Sequence, residues 1–172
     1  MILDKLNALP LTGDKNEMQH QPRVQDQNAV APLQRAIFSI HQLSESGSIE
    51  PTIRELVKIR ASQINGCAYC LAMHWRDALQ AGERIDRLST LEAWWECDWY
   101  SPRERAALAW TEALTKIADH EVSDELFENC RQVFSEQEMI DLTAGIIEIN
   151  SWNRLAIGFS SRPDAFSLNG DQ

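Results

Sequence analysis

Residues 55–74 read ELVKIRASQINGCAYCLAMH. Glu55 stands ahead of a C-x-x-C made by Cys67 and Cys70, and His74 follows four residues after Cys70. Ala68, Leu71, Ala72, Met73, Ala78 and Leu79 are good helix formers, and after Cys67 neither Pro nor Gly interrupts the run before Gly82. At about 100° per residue, Cys67, Cys70 and His74 fall within roughly 60° of one another, on one helix face about two turns tall. Asn65-Gly66 is a turn signal, which places Cys67 near the helix N-terminus. Free N–H groups and the helix dipole there favour a thiolate. Glu55 belongs to the preceding helix. It reaches the imidazole, or a water beside it, only if that helix folds back across the turn.

Residues of these types at this spacing carry redox chemistry. A thiolate is a nucleophile, and a second thiol three residues away captures its oxidised form as a disulfide. An imidazole one turn on can take and return the proton. The plainer readings are weaker. A structural zinc site wants four ligands, usually from two such pairs, and Cys97 and Cys130 form no second C-x-x-C. They are read as inert thiols. A lone helical histidine is ordinarily structural, but the i+4 relation of His74 to Cys70 favours proton transfer. Taken alone, Glu55 among Arg54, Lys58 and Arg60 reads as a solvated helix charge. His20, His41 and His120 have no supporting constellation in the sequence.

Working outward, the segments between residue 29 and residue 160 are helical too. Val30, Leu33, Ile37, Ile40 and Leu43 recur at helical spacing over 29–46, ended by Gly47. Pro51 suits the first turn of a second helix, whose apolar side is Ile53, Leu56, Val57 and Ile64. Ile85, Leu88, Leu91 and Trp94 or Trp95 predict a helix over 84–96. Ser101-Pro102-Arg103-Glu104 is a capping box with Pro at the first helical position, and Ser123 caps a short helix. Ser135 to Glu138 is a second capping box, opening a helix to about 157 that is apolar nearly all round. No segment alternates with period two, so no sheet is expected, and a thioredoxin fold around the C-x-x-C is excluded. The expectation is an all-α single domain of about seven helices: an extended segment over 1–28, a helical domain over 29–160 and an irregular tail over 161–172.

The chain has 172 residues, enough for one sizeable core. It has 26 acidic against 16 basic residues, a net charge of −10, which argues against nucleic acid or an anionic membrane as partner. No run of 18 apolar residues is present, so no membrane span is expected. The first residues lack the apolar core of a signal peptide, and four cysteines are too few for a secreted disulfide scaffold. The expectation is a cytoplasmic protein with reduced thiols. The Trp residues at 94, 95 and 99 could line a substrate channel, although core or interface packing is the commoner use.

The spacing of Glu55, Cys67, Cys70 and His74 resembles the core motif of the alkylhydroperoxidase D-like family, also called the carboxymuconolactone decarboxylase family. SPRERAALAWTEALT at 101–115 and INSWNRLAIG at 149–158 extend the resemblance to roughly residues 28–160. One departure is Tyr69, which stands where the best-studied peroxidase branch carries a further His. The resemblance implies an alkylhydroperoxidase D-like helical fold and a thiol-dependent peroxidase needing no cofactor or metal. In that scheme Cys70 is peroxidatic, Cys67 is resolving, His74 transfers the proton and Glu55 completes the relay. It also implies a hydroperoxide substrate, a thioredoxin-like or lipoyl-bearing dithiol donor, and a homo-oligomer (dimer, trimer or hexamer). The alternatives are a lactone decarboxylase of the other branch, which needs no cysteine pair, and a non-catalytic oligomeric redox sensor. Asn150, Trp152, Asn153 and Arg154 match the family's last helix, where they are expected to satisfy buried partners or hold an interface.

Overall fold

The computed structural model describes residues 21–119 and 121–163. Its elements, in chain order, are α1 (Gln27–Ser46), α2 (Pro51–Asn65), α3 (Ala68–Gln80), α4 (Ile85–Thr90), a 3-10 helix (Leu91–Glu96), α5 (Pro102–Thr115), α6 (Asp124–Arg131) and α7 (Glu136–Gly158). Among the described residues there is no strand, and the all-α expectation of about seven helices holds. The predicted helix over 84–96 is a correction: an α-helical piece, Ile85–Thr90, passes into the 3-10 piece Leu91–Glu96, which is itself interrupted at Ala93 with φ −119° and ψ 36°. Trp94 and Trp95 follow that break, with their rings edge to face at 6.0 Å between centroids. Of the segment predicted to be extended, residues 1–20 lie outside the described residues, as do His20, His120 and the tail beyond 163. Residues 22–24 run beside the end of α7, where Arg23 N–H donates to Phe159 O at 3.0 Å.

Helix α2 is the axis of the core. Ile53 and the whole stretch from Leu56 to Ser62 are buried, so it packs on every side. Ile53 and Val57 join Trp110, Phe134, Met139, Leu142 and Ile146 in one apolar cluster against α5, α6 and α7. Leu56 and Ile59 join Ala78, Leu88, Leu91, Tyr100 and Leu108 in another, against α3, α4 and α5. Ala61 meets Cys67, Cys70, Ile149 and Ala156 in a third. Burying each large apolar side chain in these clusters is worth about 1.5–3 kcal/mol, against which α2 carries two buried cations that need partners. Helix α7 supports α1, α2, α3, α5 and α6. A Cβ at Gly145 of α7 would stand 3.0 Å from Ser44 Oγ, a measure of how closely α1 lies on it.

Both predicted capping boxes form. Ser101 Oγ accepts from Glu104 N–H while the Glu104 carboxylate accepts from Ser101 N–H, and Ser135 with Glu138 repeats the arrangement at the start of α7. Ser123 caps α6 by accepting from Leu126 N–H. At Glu138 the Ser135 backbone N–H comes first and the Arg103 guanidinium next, together lowering its carboxyl from 4.5 to about 2. A folded value below the unfolded one means that this contribution is complete at neutral pH. It is lost as pH falls from about 4.5 towards 2. Glu138→Gln should therefore flatten the acid limb of stability between those values, while Ser135→Ala should cost about 1 kcal/mol. Denaturant melts across that pH range check both.

Candidate active site

The site is built on the elbow between α2 and α3. Gly66 ends α2 in the left-handed region, φ +70°, where a side chain would be strained. The reversal places Cys67 at the N-cap of α3, with its sulfur accepting from Cys70 N–H at 3.3 Å. The elbow is tied to α7 by amides. Asn65 Nδ2 donates to Asn150 Oδ1 at 3.0 Å and to Asn153 Oδ1 at 2.8 Å. Asn153 Nδ2 in turn donates to Ser62 Oγ at 3.0 Å, and Asn150 Nδ2 donates to Thr115 Oγ1 at 3.1 Å. Asn150 and Asn153 thus satisfy buried partners, as expected from sequence.

Cys67 and Cys70 are joined as a disulfide with Cα atoms 5.4 Å apart, and both are buried. His74 lies one turn beyond Cys70, and its Nδ1 is 3.0 Å from Glu55 Oε2. The fold-back of α2 on α3 therefore brings Glu55 onto the imidazole directly. Glu55 is no solvated charge. Burial pushes its carboxyl up, and the His74 hydrogen bond with the charges of His74 and Lys58 outweighs this and holds it below its ordinary value.

Sequence reasoning missed the rest of this chain of charges. Lys58, 4% exposed, donates to Glu45 Oε1 at 3.2 Å and approaches Glu55 Oε1 at 3.5 Å. Glu45 also accepts from Arg54 at 3.0 Å. Burial raises the Glu45 carboxyl less than Lys58 and its neighbours lower it. The i, i+3 spacing of Glu55 and Lys58 was the one available signal for this set.

A cavity of about 610 Å³ lies between α1 and α3, with α7 behind it. Cys70, His74, Glu55 and Lys58 line it, together with Phe38, Tyr69, Met73, Trp152, Leu155 and Phe159. Tyr69 is a wall aromatic, as expected. His41 requires a correction: it lines the same cavity, and its Nδ1 is 2.9 Å from Oε1 of the buried Glu148 on α7. No local pattern could link those two, because 107 residues separate them.

The 94–99 tryptophans do not line this cavity. Trp94 packs on the second apolar cluster and donates Nε1–H to Glu112 at 2.8 Å, while Trp95 and Trp99 are exposed. Cys130 is fully buried, and burial pushes its thiol up to about 11, which keeps it protonated at neutral pH. For a metal, Glu55, His74 and Asp77 offer ligand atoms within 4.8 Å of one another. A cation there would compete with the Glu55–His74 hydrogen bond.

Comparison with known proteins gives a consistent picture. Residues 31–113 match the carboxymuconolactone decarboxylase family. The uncharacterized protein YdfG of Bacillus subtilis is 44% identical over 128 residues, covering 74% of this chain and 87% of its own. A crystal structure from Agrobacterium tumefaciens, of a protein of unknown function suggested to be the antioxidant defence protein AhpD, superposes with a TM-score of 0.80. It shows 34% identity and covers 85% of this chain and 100% of that one. The alkylhydroperoxidase AhpD core of an uncharacterized peroxidase-related protein from Ralstonia eutropha JMP134 gives a TM-score of 0.69 at 26% identity. It covers 83% of this chain and 77% of that one.

Asn153→Ala should cost more than its size suggests. It removes the acceptor of Asn65 and the donor to Ser62, and each buried polar group left unpaired costs about 1–3 kcal/mol. A urea melt should show that loss. A change below about 0.5 kcal/mol would mean that the elbow holds without the amides.

Proposed function

The chain belongs to the carboxymuconolactone decarboxylase family, and from that premise we propose that it is a thiol-dependent peroxidase acting on organic hydroperoxides. The observation that carries this reading is the position of Cys70. Both cysteines are buried in one apolar cluster, but of the pair it is Cys70 that also lines the cavity, beside His74 and Glu55. Cys70 is thus the peroxidatic thiol and Cys67 the resolving one. The helix start favours a thiolate at Cys67, but Cys70 is the sulfur a substrate in the cavity meets.

In the reduced protein, Glu55 occupies His74 Nδ1, which leaves Nε2 to take the Cys70 proton. The thiolate attacks the terminal oxygen of the hydroperoxide, the O–O bond breaks, and the alkoxide leaves as an alcohol once protonated. Cys70 becomes a sulfenic acid. Cys67 attacks that sulfur, the disulfide forms, and hydroxide leaves as water after receiving a proton. A thioredoxin-like or lipoyl-bearing dithiol then reduces the disulfide by exchange. The aromatic and aliphatic walls suit a hydroperoxide with a bulky apolar group.

Cys70→Ser should abolish hydroperoxide consumption, and Cys67→Ser should leave a sulfenic acid trapped on Cys70. A sulfenate probe read by peptide mapping checks this; label on Cys67 instead would exchange the two roles. His74→Gln should slow Cys70 oxidation by about 10²–10⁴-fold. Wild-type turnover with cumene hydroperoxide and a generic dithiol is the direct assay, and no turnover would refute the reading.

The same proposal includes a homo-oligomer. Ile140 and Ile147 stand two turns apart on α7, 57% and 50% exposed, and Leu33 and Leu43 are exposed on α1. Light scattering should give a multiple of 19.6 kDa at micromolar concentration. The double variant Ile140→Lys/Ile147→Lys should shift it towards the monomer.

A further inference from the structure

The cavity holds a second imidazole–carboxylate pair that the steps above leave unused. His41, on α1, lines the cavity with its side chain 31% exposed, and Glu148 behind it is 4% exposed. Donation from His41 Nδ1 to Glu148 Oε1 at 2.9 Å fixes the ring and leaves Nε2 as the nitrogen free to exchange a proton. Phe38 packs against the same ring at 5.2 Å between centroids. Glu148 Oε2 is buried without a hydrogen-bond partner among the described residues. An unpaired buried carboxylate oxygen costs about 1–3 kcal/mol or more.

We propose that His41 is a catalytic acid that protonates the leaving oxygen of the hydroperoxide, and that Glu148 is its positioning residue. This rests on the peroxidase reading and assigns it a second proton site. Displacement at oxygen has a fixed geometry. Sulfur attacks along the axis of the O–O bond, so the leaving oxygen points away from Cys70. His74 follows Cys70 on α3, on the wall the leaving oxygen departs from, whereas His41 is on α1. An alkoxide is a poor leaving group unless protonated as the bond breaks. Two sulfur electrons form the S–O bond, the O–O pair goes to the alkoxide oxygen, and His41 Nε2–H supplies its proton. The products are the Cys70 sulfenic acid and an alcohol. Solvent then reprotonates His41 through its exposed edge. The two imidazoles thus divide the work: His74 takes the thiol proton, and His41 gives one to the product.

The test compares leaving groups on the reduced full-length chain, with modification at Cys70 quantified by peptide mass spectrometry. Oxidation by cumene hydroperoxide releases an alkoxide that needs a proton. Alkylation by iodoacetamide releases iodide, which needs none. His41→Gln and Glu148→Gln should each slow the oxidation by about 10²-fold while alkylation stays within about twofold of wild type. His74→Gln should slow both reactions. Oxidation of Cys70 in His41→Gln at the wild-type rate would overturn the assignment and leave the peroxidase reading intact. Equal slowing of both reactions in His41→Gln would also overturn it, because the residue would then act on the thiolate or the fold. Wild-type Cys70 reacting with the hydroperoxide no faster than a free thiol would instead remove the peroxidase reading, and this assignment with it.

Discussion

The side chain of Asn153 is the contact on which the site depends. It is fully buried, accepts from Asn65 at the end of α2 and donates to Ser62 one turn earlier. One amide therefore fixes the last turn of α2 to α7 from both sides. The chain reverses immediately afterwards at Gly66, and Cys67 caps α3. A small rotation of α2 about its axis would move the start of α3, and with it both sulfurs and His74. Apolar packing resists such a rotation through the fit of interdigitated side chains. A buried amide with defined donors and acceptors adds a directional constraint to that fit.

A second constraint runs along the face of α2 that looks into the cavity. Lys58 is buried, which is expensive for an ammonium group unless carboxylates surround it. Glu45 and Glu55 do so from two different helices, and Glu55 holds His74 on a third. A buried ion pair is weak evidence for stability, since apolar residues of similar volume often serve as well. Its consequence here is orientation. With Lys58 near one oxygen of Glu55 and His74 on the other, the carboxylate has little freedom, and the tautomer of His74 follows from it.

The apolar and polar parts of the cavity are not divided by helix. Each of α1 and α3 brings both kinds of residue: Phe38 and His41 from one, Tyr69, Met73, Cys70 and His74 from the other. Helix α7 adds Glu148 and Trp152 behind them. Side chains one turn apart on a helix face the same way. A helix that presents a reactive group to a cavity therefore also sets the aromatic beside it, and the shape of the cavity is fixed with its chemistry.

What the sequence by itself determined is local. The helices, the capping boxes at Ser101 and Ser135, the N-cap at Ser123 and the cysteine pair at a helix start all follow from residues three or four positions apart. Helical geometry brings such residues together whatever the tertiary fold. The site set of Glu55, Cys67, Cys70 and His74 was legible because one spaced motif contains it. The break at Ala93 was not, because apolar residues at helical spacing run through it and only packing against α5 decides where Trp94 goes. Lys58 reads as a surface charge until α1 brings Glu45 to it. His41 reads as an isolated histidine until α1 lies on α7 beside Glu148. These pairings join residues far apart in the chain. They are set by which helix faces meet, and that depends on the summed shape of the whole core rather than on any stretch of sequence.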